Sequence, residues 1–140
     1  MEEVVCFLVD DDPDDHEIFS IAMKDANSTS ICVTAKNGLD ALEQLQSNKL
    51  FIPDYIFLDL NMPVLDGKQL LIEIKKMDHL KDIPVIIYTT SSREMDIEET
   101  RRLGASHFIV KPYGMSRLTE ILSSIFERHA LPFALNSENS

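Results

Sequence analysis

Residues 5–15 read VCFLVDDDPDD, so five apolar residues are followed by five aspartates in the next six positions. An apolar run without alternation is typical of a strand that is covered on both faces of a parallel sheet. Carboxylates packed this closely repel one another, and such crowding raises their pKa values or drives the groups apart. Either water or a cation must therefore make the cluster tolerable.

The pattern of this first strand recurs along the chain. Short apolar runs, rich in β-branched or aromatic residues, alternate with segments in which apolar residues recur every three or four positions. The predicted strands are 4–9, 31–35, 55–58, 85–88 and 108–110. A helix follows each of them, and the helix at 94–103 has the weakest pattern. Strict alternation predicts an α/β fold with a doubly wound, five-stranded parallel sheet flanked by five helices.

Composition narrows the possible partners. Thirteen basic residues oppose 24 acidic residues, which gives a net charge of −11 over 140 residues. Such a surface repels nucleic-acid phosphates and anionic lipids, so we expect no nucleic-acid partner and no membrane binding. The first residues, MEEVVCFLV, have neither the basic region nor the long apolar region of a secretion signal. We therefore expect a cytoplasmic protein, and the length favours a single domain.

Polar side chains follow four of the predicted strands. The carboxyl ends of parallel strands meet at one edge of the sheet, where doubly wound folds bind their ligands. Mg²⁺ binds carboxylate and other oxygens, and a lysine supplies a point charge for a phosphoryl group. Such a set suits phosphoryl transfer to a carboxylate. The residues are Asp10, Asp11 and Asp12 after the first strand, Asp59 and Asn61 after the third, Thr89, Thr90, Ser91 and Ser92 after the fourth, and Lys111 after the fifth.

Several of these residues also have an ordinary structural explanation. Asp12 suits the N-cap of the first helix, and Asp14 and Asp15 suit its first turn, where the helix dipole favours acidic residues. For these three aspartates we prefer that explanation. Asp59 alone could be a turn residue, and a single threonine or lysine would be weak evidence. The joint placement at consecutive strand ends is what favours a site.

Four motifs together resemble the receiver domain of bacterial two-component response regulators, of the single-domain type. They are LVDD at 8–11, LDLNMPVLDG at 58–67, YTTS at 88–91 and VKP at 110–112. The resemblance covers residues 4–128 and implies a flavodoxin-like sheet of order 2-1-3-4-5, with the receiver domain at 1–129. Residues 130–140 begin apolar and end polar, and we expect them to form a loosely held C-terminal tail.

The resemblance also implies roles at the strand ends. Asp59 would accept a phosphoryl group from the phosphohistidine of a sensor histidine kinase or from a phosphotransfer protein. Asp11 would bind Mg²⁺ (or Mn²⁺) directly, and Asp10 would hold a metal-bound water. Asp59 and the backbone carbonyl of Asn61 would complete the metal site. Asn61 and Thr90 would bind the phosphoryl oxygens.

The same resemblance implies a conformational switch. Lys111 would pair with the phosphoryl group, and its bond to Pro112 would be cis, a state found in about 5–6% of such bonds. Thr89 would be the switch hydroxyl and would move toward the phosphoryl group. Phe108 would be the switch aromatic and would fill the vacated space, at a position where many relatives carry tyrosine and its hydroxyl.

The output expected from this resemblance is signalling rather than metabolic catalysis. The domain would catalyse only its own phosphorylation and dephosphorylation, and it would act on a downstream protein target as a monomer or weak homodimer. The helix at 94–103 would be the moving surface, although an ordinary solvated helix explains its pattern equally well.

Two other classes of function remain to be compared. A phosphohydrolase of the haloacid dehalogenase type also uses a strand-end aspartate, but it needs threonine or valine where this chain has Asp14 after Asp10 and Asp12. A receiver-like module that is never phosphorylated would not need the complete set of carboxylates, hydroxyls and lysine. Both are less consistent with the motifs than a phosphoacceptor is.

Overall fold

The computed structural model describes residues 3–138 of the chain. Its strands are β1 (Val5–Val9), β2 (Ile31–Ala35), β3 (Tyr55–Leu58), β4 (Val85–Thr89), β5 (His107–Val110) and β6 (Ala134–Leu135). Its helices are α1 (Pro13–Ala26), α2 (Gly38–Ser47), α3 (Gly67–Lys75), α4 (Glu94–Arg102) and α5 (Met115–Phe126). All neighbouring strands are parallel, in the order β2-β1-β3-β4-β5-β6. The predicted α/β fold and its strand order are confirmed, with one strand more than expected.

Helix α1 begins where the sequence predicts. Asp12 is the N-cap, and its side chain accepts a hydrogen bond from the backbone N–H of Asp14 at 2.9 Å. Pro13 occupies the first helical position, where a missing N–H costs nothing. These features fix the start of α1 directly beyond the carboxyl end of β1, which brings the first turn of the helix to the edge of the sheet.

Two apolar layers enclose the sheet. On one face, Phe19 of α1 and Leu122 of α5 share an apolar cluster with Phe57 of β3. On the other face, Leu45 of α2 and Leu71 of α3 share a cluster with Phe108 of β5. Within α4 the buried residues are polar, Asp96 and Thr100, which agrees with its weak apolar pattern. Among residues 3–138 no helix is both long enough and apolar enough to cross a bilayer.

The C-terminal segment corrects two expectations, the five-stranded sheet and the loosely held tail. Strand β6 pairs with the outer edge of β5, and Leu135 is only 1% exposed. The backbone N–H of Phe108 donates to the carbonyl of Phe133 at 2.8 Å, and the Arg101 guanidinium lies 4.6 Å from the centroid of the Phe133 ring. An open strand edge offers unpaired backbone groups, and a short apolar segment is sufficient to satisfy them. Residues 139–140 of the predicted tail lie outside the described residues.

Candidate functional site

Three carboxylates converge at the carboxyl edge of the sheet. Asp10, Asp11 and Asp59 each offer an oxygen, and these oxygens lie within 4.8 Å of one another. The register explains the convergence, because Val9 pairs with Leu58 and the next residue on each strand is an aspartate. The backbone N–H of Asp59 also donates to the carbonyl of Val9 at 3.0 Å. The predicted meeting of aspartates from β1 and β3 is present.

The three carboxylates differ in their surroundings. Asp10 is completely buried, Asp59 is 6% exposed, and Asp11 is exposed. The Asp10 oxygens accept hydrogen bonds from the backbone N–H of Asp12 at 3.0 Å and from the ammonium of Lys111 at 2.9 Å. Burial raises the pKa of Asp10 above its ordinary value by more than these two partners lower it. The buried carboxylate therefore lacks enough compensating positive charge among the residues that surround it.

Lys111 supplies the positive charge at this edge. Its Nζ lies 2.6 Å from Asp15 Oδ2, 2.9 Å from Asp10 Oδ2 and 3.6 Å from Asp59 Oδ2. It also lies 5.1 Å from the centroid of the Tyr88 ring. Burial by itself lowers the pKa of Lys111, but the hydrogen bonds that its ammonium donates to Asp15 and Asp10 outweigh burial, so the pKa is raised. Lys111 is therefore a cation at any physiological pH.

The backbone at Lys111 does not take the form that the resemblance implied. Residues 3–138 contain no cis peptide bond, so the expected cis bond between Lys111 and Pro112 is wrong and that bond is trans. The trans isomer is the ordinary state of a bond before proline, by about 0.5–1 kcal/mol. Here the backbone N–H of Lys111 donates to the carbonyl of Thr89 at 2.7 Å, and this bond extends the pairing of β4 and β5 up to the lysine.

The predicted hydroxyl and amide groups lie beside the carboxylates. The backbone N–H of Asn61 donates to Asp59 Oδ1 at 3.2 Å. Thr89 is completely buried, and its Oγ1 accepts from Asn61 Nδ2 at 3.5 Å and from the backbone N–H of Ser91 at 3.4 Å. Asn61 thus connects Asp59 with Thr89, whereas Thr90 is exposed next to them.

Phe108 is further inside than the other predicted residues. It is completely buried and pairs in register with Ile87, two residues before Thr89. Because side chains alternate along a strand, Thr89 and Phe108 are on the same face of the sheet. The two predicted switch residues therefore lie on one face of the sheet, on the neighbouring strands β4 and β5, with Thr89 closer to the carboxyl edge.

Two groups of residues were not assigned to the site from sequence. Asp15 was explained as a helix-turn acid, and it does lie in the first turn of α1, but its carboxylate also binds Lys111. The apolar spacing contained the signal for this contact. Asp15 lies four residues before Phe19 and seven before Ala22, both of which are buried, so all three are on the face of α1 that meets the sheet.

The second group surrounds Asp96, a carboxylate that is 3% exposed at the start of α4. It accepts hydrogen bonds from Lys68 Nζ at 2.7 Å, from Ser91 Oγ at 2.6 Å and from Arg93 Nε at 3.0 Å. Burial raises the pKa of Asp96, but the hydrogen bonds from Arg93, Lys68 and Ser91 outweigh it and hold the pKa well below its usual range. These residues, which we call the Asp96 cluster, join α3, α4 and the loop after β4.

We expect Asp96→Asn to lower the free energy of unfolding at pH 7 by about 1–2 kcal/mol, less than for a deep ion pair because Lys68 and Arg93 remain partly in water. Because the pKa of Asp96 is lower in the folded than in the unfolded protein, its ionised carboxylate stabilises the fold fully above the ordinary pKa of about 3.9. This contribution is lost as the pH falls below that value. The difference between the variant and the wild type should therefore shrink below about pH 4. Urea unfolding at several pH values measures it.

Glu98→Gln is the matched control for this prediction. Glu98 lies on the same helix, is half-exposed and approaches Arg101 only at 3.8 Å. We expect its substitution to change the unfolding free energy by less than about 0.5 kcal/mol. Equal stability of Asp96→Asn and the wild type at pH 7, or a difference that does not shrink in acid, would contradict the stabilising role of the Asp96 cluster.

Comparison with known proteins adds independent observations. The model of the response regulator receiver domain family matches residues 6–123. Response regulator Rcp1 of Synechocystis sp. is 30% identical over 125 residues, which cover 86% of this chain and 85% of Rcp1. The protein-glutamate methylesterase/protein-glutamine glutaminase of Methanococcoides burtonii is 36% identical over 114 residues, which cover 77% of this chain. This chain spans only 31% of the length of that methylesterase.

Solved structures of similar proteins have the same fold. The phosphorylated cyanobacterial phytochrome response regulator RcpA has a TM-score of 0.80 and 33% identity, over 90% of this chain and 93% of RcpA. The Mn²⁺-bound form of response regulator Rcp1 has a TM-score of 0.77 and 30% identity, over 92% of this chain and 99% of Rcp1. The strand order, the acidic edge of the sheet and the family match all indicate the same family. The chain belongs to the response regulator receiver domains, the signalling domains of two-component systems.

Proposed function

We propose that this receiver domain accepts a phosphoryl group on Asp59, with a divalent cation bound beside it, and passes the signal to a protein target. The phosphoryl donor would be a sensor histidine kinase or a phosphotransfer protein. The observation that carries the proposal is the meeting of Asp10, Asp11 and Asp59 within 4.8 Å, with the Lys111 ammonium 3.6 Å from Asp59. A nucleophile, a cation site and a fixed positive charge thus share one edge of the sheet.

The carboxylates fit a hard divalent cation. Oxygens on opposite sides of Mg²⁺ are separated by about 4.2 Å, so a set of oxygens within 4.8 Å needs little adjustment to hold one ion. The Lys111 ammonium lies within ion-pair distance of Asp10, Asp15 and Asp59, and Asp11 adds a fourth carboxylate to this edge. Four carboxylates and one ammonium leave an excess of negative charge. Asp10, Asp11, Asp59 and the carbonyl of Asn61 would hold Mg²⁺ or Mn²⁺. When bound, the cation would neutralise charge on the phosphoryl oxygens.

The reaction would be a displacement at phosphorus. An oxygen of the Asp59 carboxylate forms the new bond to phosphorus, the phosphorus–nitrogen bond of the donor breaks, and its electron pair stays on the leaving imidazole. Lys111 stabilises the charge on the transferred group. The backbone N–H of Asn61 already points at Asp59 Oδ1 and would help to orient the nucleophile. Thr89 and Thr90 can donate hydroxyl hydrogens to phosphoryl oxygens.

Phosphorylation would then bias the packing around Thr89. The acyl phosphate places a group of about −2 charge where a carboxylate of −1 stood, and it attracts the Thr89 hydroxyl. A shift of Thr89 would disturb the hydrogen bond that its Oγ1 accepts from the backbone N–H of Ser91. Because the Ser91 hydroxyl donates to Asp96, the disturbance would reach the start of α4. Helix α4 is therefore the element that we expect to respond, with Phe108 filling the space that Thr89 vacates.

The test is incubation of the protein with Mg²⁺ and acetyl phosphate, followed by intact mass measurement. We expect a base-labile increase of about 80 Da, the mass of one phosphoryl group, and borohydride reduction should convert the modified residue 59 to homoserine. Catalytic release of phosphate from many substrates would instead indicate a phosphohydrolase. Absence of an adduct over a range of donor concentrations would indicate a module that is not phosphorylated.

A further inference from the structure

We infer that Asp15 is a positioning residue for the phosphoryl chemistry. Its carboxylate holds the Lys111 ammonium away from Asp59 and so weakens the electrostatic stabilisation that the lysine provides to the transferred phosphoryl group. This inference rests on the proposed function at Asp59. The place of Asp15 in the first turn of α1 would explain an acidic residue here, but not the contact of that residue with Lys111.

The distances show an uneven competition for the lysine. Lys111 Nζ is 2.6 Å from Asp15 and 2.9 Å from Asp10, which are distances of charge-assisted hydrogen bonds. The 3.6 Å to Asp59 Oδ2 exceeds hydrogen-bond length. The side chains of Lys111 and Asp15 are 12% and 21% exposed, so water screens their attraction only in part. In the unphosphorylated protein the lysine is therefore bound mainly to residues other than the nucleophile.

The first turn of α1 is a rigid support for this carboxylate. The Asp12 cap fixes the start of the helix, and Phe19 anchors the next turn in the core at 0% exposure. The ring Nε2 of His16, the next residue, lies 2.6 Å from the backbone carbonyl oxygen of Asp10. Because this turn is joined to the end of β1, Asp15 cannot follow Lys111 freely toward a phosphoryl group.

The lysine would keep its place without Asp15. Asp10 still binds its ammonium, and its backbone N–H still donates to Thr89. Asp15→Asn replaces an ion pair by a hydrogen bond from the ammonium to an uncharged amide oxygen, at nearly unchanged volume, and so weakens the attraction. The ammonium would then move more readily toward the phosphoryl oxygens. We expect the rate of phosphorylation by acetyl phosphate to rise by about three- to tenfold.

The experiment compares the phosphorylation rate of Asp15→Asn with the rates of two control variants of the same chain. All are measured by intact mass at the same concentrations of Mg²⁺ and acetyl phosphate. Asp14→Asn removes the same charge from the same helical turn, but Asp14 is exposed; we expect it to change the rate by less than about twofold. Asp15→Glu restores the negative charge, and we expect it to return the rate to within about twofold of the wild type. Thermal melting confirms that each variant is folded, and Asp15→Ser replaces Asp15→Asn if that variant is not.

Three results would overturn the inference: an unchanged or lower rate in Asp15→Asn, an equal rise in Asp14→Asn, or an equal rise in Asp15→Glu. An equal rise in Asp14→Asn would mean that only the overall charge repels the anionic donor. The wild type separates this inference from the proposed function. If the wild type forms no adduct, the proposed function fails; if it forms the adduct at Asp59 and Asp15→Asn behaves like it, only the role of Asp15 fails.

Discussion

Asp59→Asn is expected to lower the rate of adduct formation with acetyl phosphate at least about 100-fold, because a neutral amide oxygen is a far weaker nucleophile than a carboxylate. The neighbouring Asp10 cannot replace it, since Asp10 is completely buried and both of its oxygens accept hydrogen bonds. Asparagine has the same shape, and its Oδ1 can still accept from the Asn61 N–H. Intact mass over a time course measures the rate, and thermal melting checks the fold.

Asp54→Asn is the control at the other end of β3. Asp54 directly precedes this strand, and its Oδ2 accepts from the backbone N–H of Val5 at 2.8 Å, a bond that an asparagine oxygen can also accept. We expect wild-type adduct formation in this variant. Persistence of a base-labile adduct at the wild-type rate in Asp59→Asn would show that another residue is the acceptor, and the assignment of Asp59 would be wrong.

Most of the architecture was predictable because one physical signal recurs. Strands covered on both faces must be continuously apolar, and the five predicted strands agree with β1 to β5 within one residue at each end. Parallel strands send all their carboxyl ends to one edge. The convergence of Asp10, Asp59 and Lys111, which are far apart in the chain, therefore follows from the parallel direction and the register of the strands.

The features that sequence did not predict depend on single contacts. Strand β6 has two residues, Ala134–Leu135, too few to show a periodic pattern, and it forms because β5 leaves an edge open. Asp96 was missed because an acidic residue in a first helical turn is common. Two of its partners, Ser91 and Arg93, are only five and three residues away, but Lys68 lies 28 residues earlier, a separation that no local pattern connects. Long-range polar contacts of this kind need coordinates.

The position of the nucleophile also depends on a glycine at the start of α3. A Cβ on Gly67 would lie 2.3 Å from the carbonyl oxygen of Asp59 and 2.9 Å from the Cα of Leu60. Both contacts are with backbone and cannot be relieved by rotating a side chain. The helix is held in this place by a capping box, in which Asp66 and Gln69 each bind the other's backbone N–H. The loop after β3 and the start of α3 therefore touch without any space for a methyl group.

We expect Gly67→Ala to lower the free energy of unfolding by about 3 kcal/mol, at the upper end for overpacking because the clash is with backbone. For a chain of this size that corresponds to roughly 10 °C in Tm. The Asp59 carbonyl must move to admit the methyl group, so the folded variant should also phosphorylate at least about tenfold more slowly, since small misplacements of reacting groups are costly. Thermal melting and intact mass measure the two effects separately.

Alanine variants of two other glycines serve as controls. They distinguish a loss of stability through crowding from a displacement of the nucleophile. Gly114→Ala should leave both quantities nearly unchanged, because a Cβ there meets nothing within 4 Å. Gly38→Ala should destabilise about as much as Gly67→Ala, since its Cβ would lie 2.3 Å from the carbonyl oxygen of Leu65. That carbonyl belongs to the loop and not to Asp59, so Gly38→Ala should slow phosphorylation less. If the two crowded variants lose equal stability and equal rate, the slower chemistry follows from general destabilisation, and close packing of α3 against Asp59 does not position the nucleophile.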